Sequence, residues 1–222
     1  MSPALVIFDL DGVLVDSELI AARAVAEVLS EHGAPLTTEE VVGRFAGLTD
    51  REIASVVERE TGRRLPGNFD ELADRRTMAL FDGVLTAVPG AAETLPHIHV
   101  PICVASNSPP ERVSRSLATV GLDRFFTDQT LFSALTVERP KPAPDIYLHA
   151  ADRMTVAVQD CLVVEDSPTG VRAAVAAGMT VLGFVGAGHI ADREAHGAGL
   201  RAEGASAILT VFAELKGYLP GR

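Results

Sequence analysis

The stretch ALVIFDLDGVLVDSE, Ala4 to Glu18, decides how this chain is read. Ala4–Phe8 is a short apolar run with no polar alternation, the pattern of a strand buried on both faces of a parallel sheet. It ends abruptly on Asp9-Leu10-Asp11-Gly12. In extended chain, residues two apart point the same way, so Asp9 and Asp11 are placed to face one site beyond the strand.

Further along, Val100–Ala105, Leu162–Val164 and Met179–Val185 repeat the buried-strand pattern, and Thr130–Ser133 is a weaker instance. Helical stretches separate them at Gly90–Leu95, Pro110–Val120, Pro144–Met154 and Ser167–Ala177. Proline opens two of these, and Gly121 and Gly178 close two. Alternating strand and helix predicts an α/β, doubly wound parallel sheet. Residues 17–82 break the rhythm. Ser17–His32, Thr38–Phe45, Asp50–Thr61 and Phe69–Phe81 all carry helical spacing, with no convincing strand among them. The expected organisation is a core of residues 1–16 and 83–222, interrupted by an all-helical cap domain at 17–82.

Composition narrows the function classes. The chain has 222 residues, 47% hydrophobic and 22% charged, enough to bury a sizeable core. A formal net charge of -11, with no basic run, argues against nucleic acid as a partner. Cys103 and Cys161 sit inside apolar runs and read as buried, reduced thiols. No stretch reaches the length of a signal peptide core or a membrane span, so a cytoplasmic, soluble protein without membrane contact is expected, monomeric or weakly homo-oligomeric.

In doubly wound sheets ligands bind beyond the carboxyl ends of the strands, which makes the residue after each apolar run the informative one. Those residues are Asp9 and Asp11, then Ser106-Asn107-Ser108, then Glu165-Asp166-Ser167. Arg139-Pro140-Lys141-Pro142 adds a lysine in a proline-stiffened loop. Each has a plain alternative: Asp11-Gly12 as turn chemistry, Glu165-Asp166-Ser167 as a helix cap, Lys141 as a solvated lysine. Asn107 reads equally as a phosphate-loop contact or a turn residue. Converging acids repel unless a cation intervenes, and Mg²⁺ bound by carboxylate oxygens suits Asp9, Glu165 and Asp166. Lys141 can balance a phosphoryl group, and Ser106 stands just before a helix start, where free N–H groups hold phosphate oxygens. His189 reads as a surface loop residue. His32, His97, His99, His149 and His196 show no ligand spacing and receive no role.

DLDGVLVDSE, VASNSP, RPKPAPDIY and VVEDSPTG, in this order, resemble the four motifs of haloacid dehalogenase superfamily phosphatases, and the position of the helical insert resembles the subgroup that includes β-phosphoglucomutase. The resemblance implies a Rossmann-like core and a magnesium-dependent phosphatase acting on small phosphorylated metabolites. It implies Asp9 as nucleophile, forming an aspartyl-phosphate, and Asp11 as general acid and base. Ser106, Asn107 and Lys141 would bind the phosphoryl group, with Asp9, the Asp11 carbonyl and Asp166 on the metal and Glu165 ligating the ion or holding one of its waters.

A sugar phosphomutase is the alternative reaction. β-Phosphoglucomutases carry a histidine where Ala21 stands, and basic cap residues where Ala46 and Asp50 stand, so hydrolysis is expected. DSELIAARA, EEVVGRFAG and the Leu80–Gly90 run are similar to bacterial 6-phosphogluconate phosphatases, which implies a sugar or sugar-acid phosphate as substrate. Those enzymes carry lysine at the Ala46 position, with Arg44 or Arg51 near enough here to stand in. A Schiff-base phosphonate cleavage is excluded because residues 17–82 contain no lysine.

Overall fold

A computed structural model describes residues 2–45 and 48–220. Ala46, one of the cap residues compared above, and Gly47 lie outside the described residues. In chain order the elements are β1 (Leu5–Phe8), α1 (Glu18–Glu31), α2 (Thr38–Phe45), α3 (Asp50–Thr61), α4 (Phe69–Ala79), α5 (Ala91–Thr94), β2 (Ile102–Ser106) and α6 (Pro110–Thr119). Then come β3 (Leu131–Ser133), α7 (Asp145–Arg153), β4 (Cys161–Glu165), α8 (Pro168–Ala176), β5 (Thr180–Phe184), α9 (Arg193–Ala202) and β6 (Ala207–Leu209).

The six strands form one parallel sheet in the order β3-β2-β1-β4-β5-β6. This is a doubly wound sheet, in which β1–β3 and β4–β6 run outward in opposite directions and the crevice lies between β1 and β4, where the order reverses. Phe8 pairs in register with Val104 on one side and Val164 on the other, so the carboxyl ends of β1, β2 and β4 come level. Leu5, Val6, Ile7 and Phe8 are all fully buried, which is why their run shows no alternation. Below the sheet edge, Phe212 stacks on Phe8 at 5.8 Å and meets Phe184 edge-on at 5.7 Å.

Two elements leave no clear mark in the sequence. β6 is three residues long, too short to show a period, and α9 contains Gly197 and Gly199, which weaken helical propensity. Both are settled by packing: β6 pairs with β5, and Leu200 of α9 and Leu209 of β6 are buried.

The chain divides into two compact units, Met1–Asp16 with Thr86–Arg222, and Ser17–Leu85. The second is helical throughout and has its own apolar centre. Val25, Val28 and Leu29 of α1 pack with Val41 and Phe45 of α2, Ile53 and Val57 of α3, and Phe69 and Ala73 of α4. Thr49 and Glu52 close a capping box at the start of α3, and Gly62 ends it in the left-handed region at φ 68°. Arg76 of α4 holds Glu27 and Glu31 of α1 at 2.8 and 2.7 Å. Arg44 is paired with Glu60, and Arg51 faces Asp70 at 3.8 Å. Among the described residues, no helix is long and apolar enough to cross a membrane.

Candidate active site

β1 delivers Asp9 to the carboxyl edge of the sheet, where its N–H donates to the Val164 carbonyl at 3.0 Å. The chain then turns sharply: Leu14 N–H and Val15 N–H both return to the Leu10 carbonyl. Gly12 takes φ 76°, a conformation glycine reaches without penalty. It is glycine for a second reason. A Cβ there would lie 1.8 Å from Asp166 Oδ2, so the bare backbone makes room for that carboxylate.

Lys141 enters the same place from the loop before α7 and is only 5% exposed. Its ammonium donates to Asp9 Oδ1 at 2.6 Å, Glu165 Oε1 at 2.7 Å and the Ala105 carbonyl at 2.9 Å, and lies 4.8 Å from the centre of the Tyr147 ring. Asn107 clasps the Lys141 backbone, accepting from its N–H at 3.1 Å and donating to its carbonyl at 3.4 Å. Glu165 is wholly buried. Its Oε1 accepts from Lys141 and from Tyr147 Oη, and its Oε2 from the Ser167 N–H and hydroxyl. Gly170, in the first turn of α8, leaves the space for it, since a Cβ there would lie 1.6 Å from Oε1.

The charges here are strongly coupled. Burial pushes the Asp9 carboxyl up, to about 8, with Lys141 pulling against it and Glu165 and Asp11 adding to it. Burial alone would lower the Lys141 ammonium, but Asp9 and Glu165 hold it well above its ordinary value. Burial and the Glu165 charge raise the Tyr147 hydroxyl, so it stays a donor.

Asp11 sits beside this cluster with both oxygens engaged. Ser108 Oγ donates to Oδ2 at 2.7 Å, and Arg112 Nη2 to Oδ1 at 3.0 Å. Ser108 is itself braced, its N–H donating to Ser106 Oγ at 3.0 Å and its carbonyl accepting from Ser133 Oγ at 2.7 Å. Ser106 is almost fully buried at the end of β2. The structure thus gathers Asp9, Asp11, Ser106, Asn107, Lys141, Glu165 and Asp166 at one sheet edge. Four residues without an assigned role join them: Arg112, Tyr147, His189 and His196. Arg112 and Tyr147 lie within or beside the quoted motifs, but nothing local marks their partners. The histidines lie beyond the last motif.

A family model described as haloacid dehalogenase-like hydrolase matches residues 6–184. The chain belongs to that family. It is 40% identical over 180 residues to the 6-phosphogluconate phosphatase of Escherichia coli, with 81% of each chain covered. It is 31% identical over 178 residues to a phosphorylated carbohydrates phosphatase of Thermotoga maritima, covering 78% of this chain and 81% of that one. A solved haloacid dehalogenase-like protein of unknown function from Agrobacterium tumefaciens superposes with a TM-score of 0.83 at 36% identity, covering 96% of each. This haloacid dehalogenase-like hydrolase is a phosphoric monoester hydrolase by class.

The family's divalent metal fits the residues present. Asp9, Glu165 and Asp166 each offer a carboxylate oxygen within 4.8 Å of the others, and all three are buried. Lys141 offsets part of that charge, while burial, with Glu165 and Asp11, raises the Asp9 carboxyl. A hard cation with oxygen ligands relieves such a cluster. Because both oxygens of Glu165 already accept two donors each, Asp9 and Asp166 are the carboxylates better placed to ligate.

Proposed function

We propose that this hydrolase cleaves sugar or sugar-acid phosphates through a covalent phosphate on Asp9. The observation that carries the reading is the pairing of Asp9 with Lys141 at 2.6 Å beside Asp11, a nucleophile, a fixed cation and a second carboxylate at one edge. Asp9, Asp166 and the Asp11 carbonyl would hold Mg²⁺, whose charge keeps Asp9 ionised and neutralises phosphate oxygens.

An oxygen of Asp9 attacks phosphorus and the bond to the ester oxygen breaks. Asp11 donates its proton to the leaving alkoxide, and the alcohol departs. Asp11 then takes a proton from water as that water attacks the same phosphorus, the bond to Asp9 breaks, and inorganic phosphate leaves. Lys141 and Ser106 stabilise the charge spread over the phosphoryl oxygens. The helical insert enters as the cap domain of the family, with leaving-group selectivity assigned to it.

Identity to the Escherichia coli enzyme favours an anionic sugar phosphate such as 6-phosphogluconate. The decisive experiment screens phosphorylated metabolites with Mg²⁺ and measures released phosphate. Strong release from 6-phosphogluconate over neutral sugar phosphates supports the reading. Consumption of a sugar phosphate without net phosphate release identifies a mutase instead.

A further inference from the structure

We propose that His189 and His196 orient Asp166, and thereby set the affinity of the site for its divalent ion. The proposal rests on the reading of Asp166 as a metal ligand given above.

His189 lies in the Gly186-Ala187-Gly188-His189 loop that follows β5. Its Nε2 stands 3.5 Å from Asp166 Oδ2, on side chains only 17% and 7% exposed. Gly12 makes the meeting possible, since the Cβ that would strike Asp166 Oδ2 would also lie 3.1 Å from His189 Cε1. The same loop lies against Asp16: a Cβ on Gly188 would come within 2.4 Å of Asp16 Oδ2. Buried atoms without hydrogen-bond partners mark the spot, His189 Nδ1 and Asp16 Oδ1. An imidazole is thus wedged into polar surroundings beside Gly12 and Asp166.

His196 holds the same residue by its main chain. It lies in the first turn of α9, and its Nε2 is hydrogen-bonded to the Asp166 carbonyl. A carbonyl only accepts, so that nitrogen carries the proton. One histidine therefore fixes the Asp166 backbone while the other stands against its carboxylate.

Mg²⁺ demands near-octahedral geometry at short distances, so a carboxylate that must first be ordered binds it less well. Outer contacts that orient a ligand are typically worth about 10–100-fold in metal affinity. A purely structural role for the loop makes a different demand: its loss would lower stability in the absence of metal and leave metal affinity alone.

The test is Mg²⁺ binding to the full chain by titration calorimetry, alongside melting temperatures in chelator. The proteins compared are wild type, His189→Ala, His189→Gln and His196→Ala. Expected are a loss of about 10–100-fold in Mg²⁺ affinity for His189→Ala, a smaller loss for His189→Gln, which keeps an N–H donor, and unchanged melting in chelator for the His189 variants. Should His189→Ala not fold, His189→Gln and His196→Ala still read the same quantity. Wild-type affinity in both His189 variants, whatever their melting, overturns the proposal. Absence of Mg²⁺ binding by the wild type overturns instead the assignment of Asp166 as a ligand.

Discussion

Arg112 Nη2 lies 3.0 Å from Asp11 Oδ1, an ion pair between residues 101 positions apart whose side chains are 11% and 14% exposed. Arginine in the first turn of a helix opposes the helix dipole, so α6 alone does not favour it there. Its partner explains it: with Ser108, Arg112 fixes the Asp11 carboxylate, which the proposed reaction uses as general acid and base. Arg112→Met is therefore expected to slow hydrolysis of alkyl phosphates by about 10–10²-fold, the scale of a misplaced catalytic group. p-Nitrophenyl phosphate, whose phenolate leaves without a proton, should stay close to wild type. Comparing kcat/KM for the two ester classes checks this, and an equal loss in both would refute a role through Asp11.

The raised Asp9 carboxyl carries a stability consequence. Its pKa stands at 3.8 when unfolded and about 8 when folded without metal, so between those values the folded state binds more protons. Stability then falls as pH rises through that window. Asp9→Asn removes the titration and leaves Lys141 paired with Glu165. In chelator, this variant should match wild type near pH 4 and melt increasingly above it up to pH 8, at about 2–4 °C per kcal/mol. It should also be inactive, since the attacking charge is gone. Melting curves across that range, and released phosphate, decide both halves.

Above the Asp9 value of about 8, Lys141 neutralises two buried acids at once, and its removal there strands both. Breaking such a buried pair typically costs about 3–5 kcal/mol. Lys141→Met is expected to lose about that much in metal-free denaturant unfolding, together with activity. Adding Asp9→Asn to it should recover more than the same substitution gains in the presence of Lys141, because an ionised Asp9 has then lost its cation. A double variant that is simply the sum of the singles would show that the two residues do not share the site's charge balance.

Much of this site is legible in the sequence because buried parallel strands announce themselves. An unalternating run that ends on a polar residue marks a sheet edge, and Asp9, Ser106 and Glu165 each follow such a run. The proline-bound Lys141 is conspicuous for a similar reason, a cation in a stiff loop. Partners created only by folding leave no such mark. Asn107 is open between two roles in the sequence, and its clasp on the Lys141 backbone exists only where residues 34 apart meet. Tyr147 stands inside a quoted motif, but the contact of its hydroxyl with Glu165 joins residues 18 apart and has no local signal. His196 sits in a glycine-weakened helix that periodicity does not delineate, so its contact with Asp166 has no local signal. Propensity and periodicity speak about neighbours in the chain, and these are neighbours across it.

Adjacent in sequence, Glu165 and Asp166 are alike in chemistry, yet their surroundings separate them. Four donors from Lys141, Tyr147 and Ser167 saturate the Glu165 carboxylate, and Gly170 leaves a pocket just large enough for it. A metal at Glu165 would have to displace one of those donors, leaving a buried polar group unsatisfied at a cost of about 1–3 kcal/mol. Asp166 carries its Oδ2 toward Gly12 and His189 instead. The two acids should therefore fail differently. Asp166→Asn is expected to abolish Mg²⁺ binding and, with it, turnover. Glu165→Gln keeps the shape but removes the charge that holds the Lys141 ammonium beside Asp9, so kcat should fall while Mg²⁺ affinity stays within about tenfold, below the loss of a true ligand. Gly170→Ala should mimic Glu165→Gln in kcat and add a stability loss, because its Cβ occupies the carboxylate's place. Calorimetric Mg²⁺ titrations of the three variants separate the roles. Equal loss of metal binding in Glu165→Gln and Asp166→Asn would return Glu165 to the ligand set.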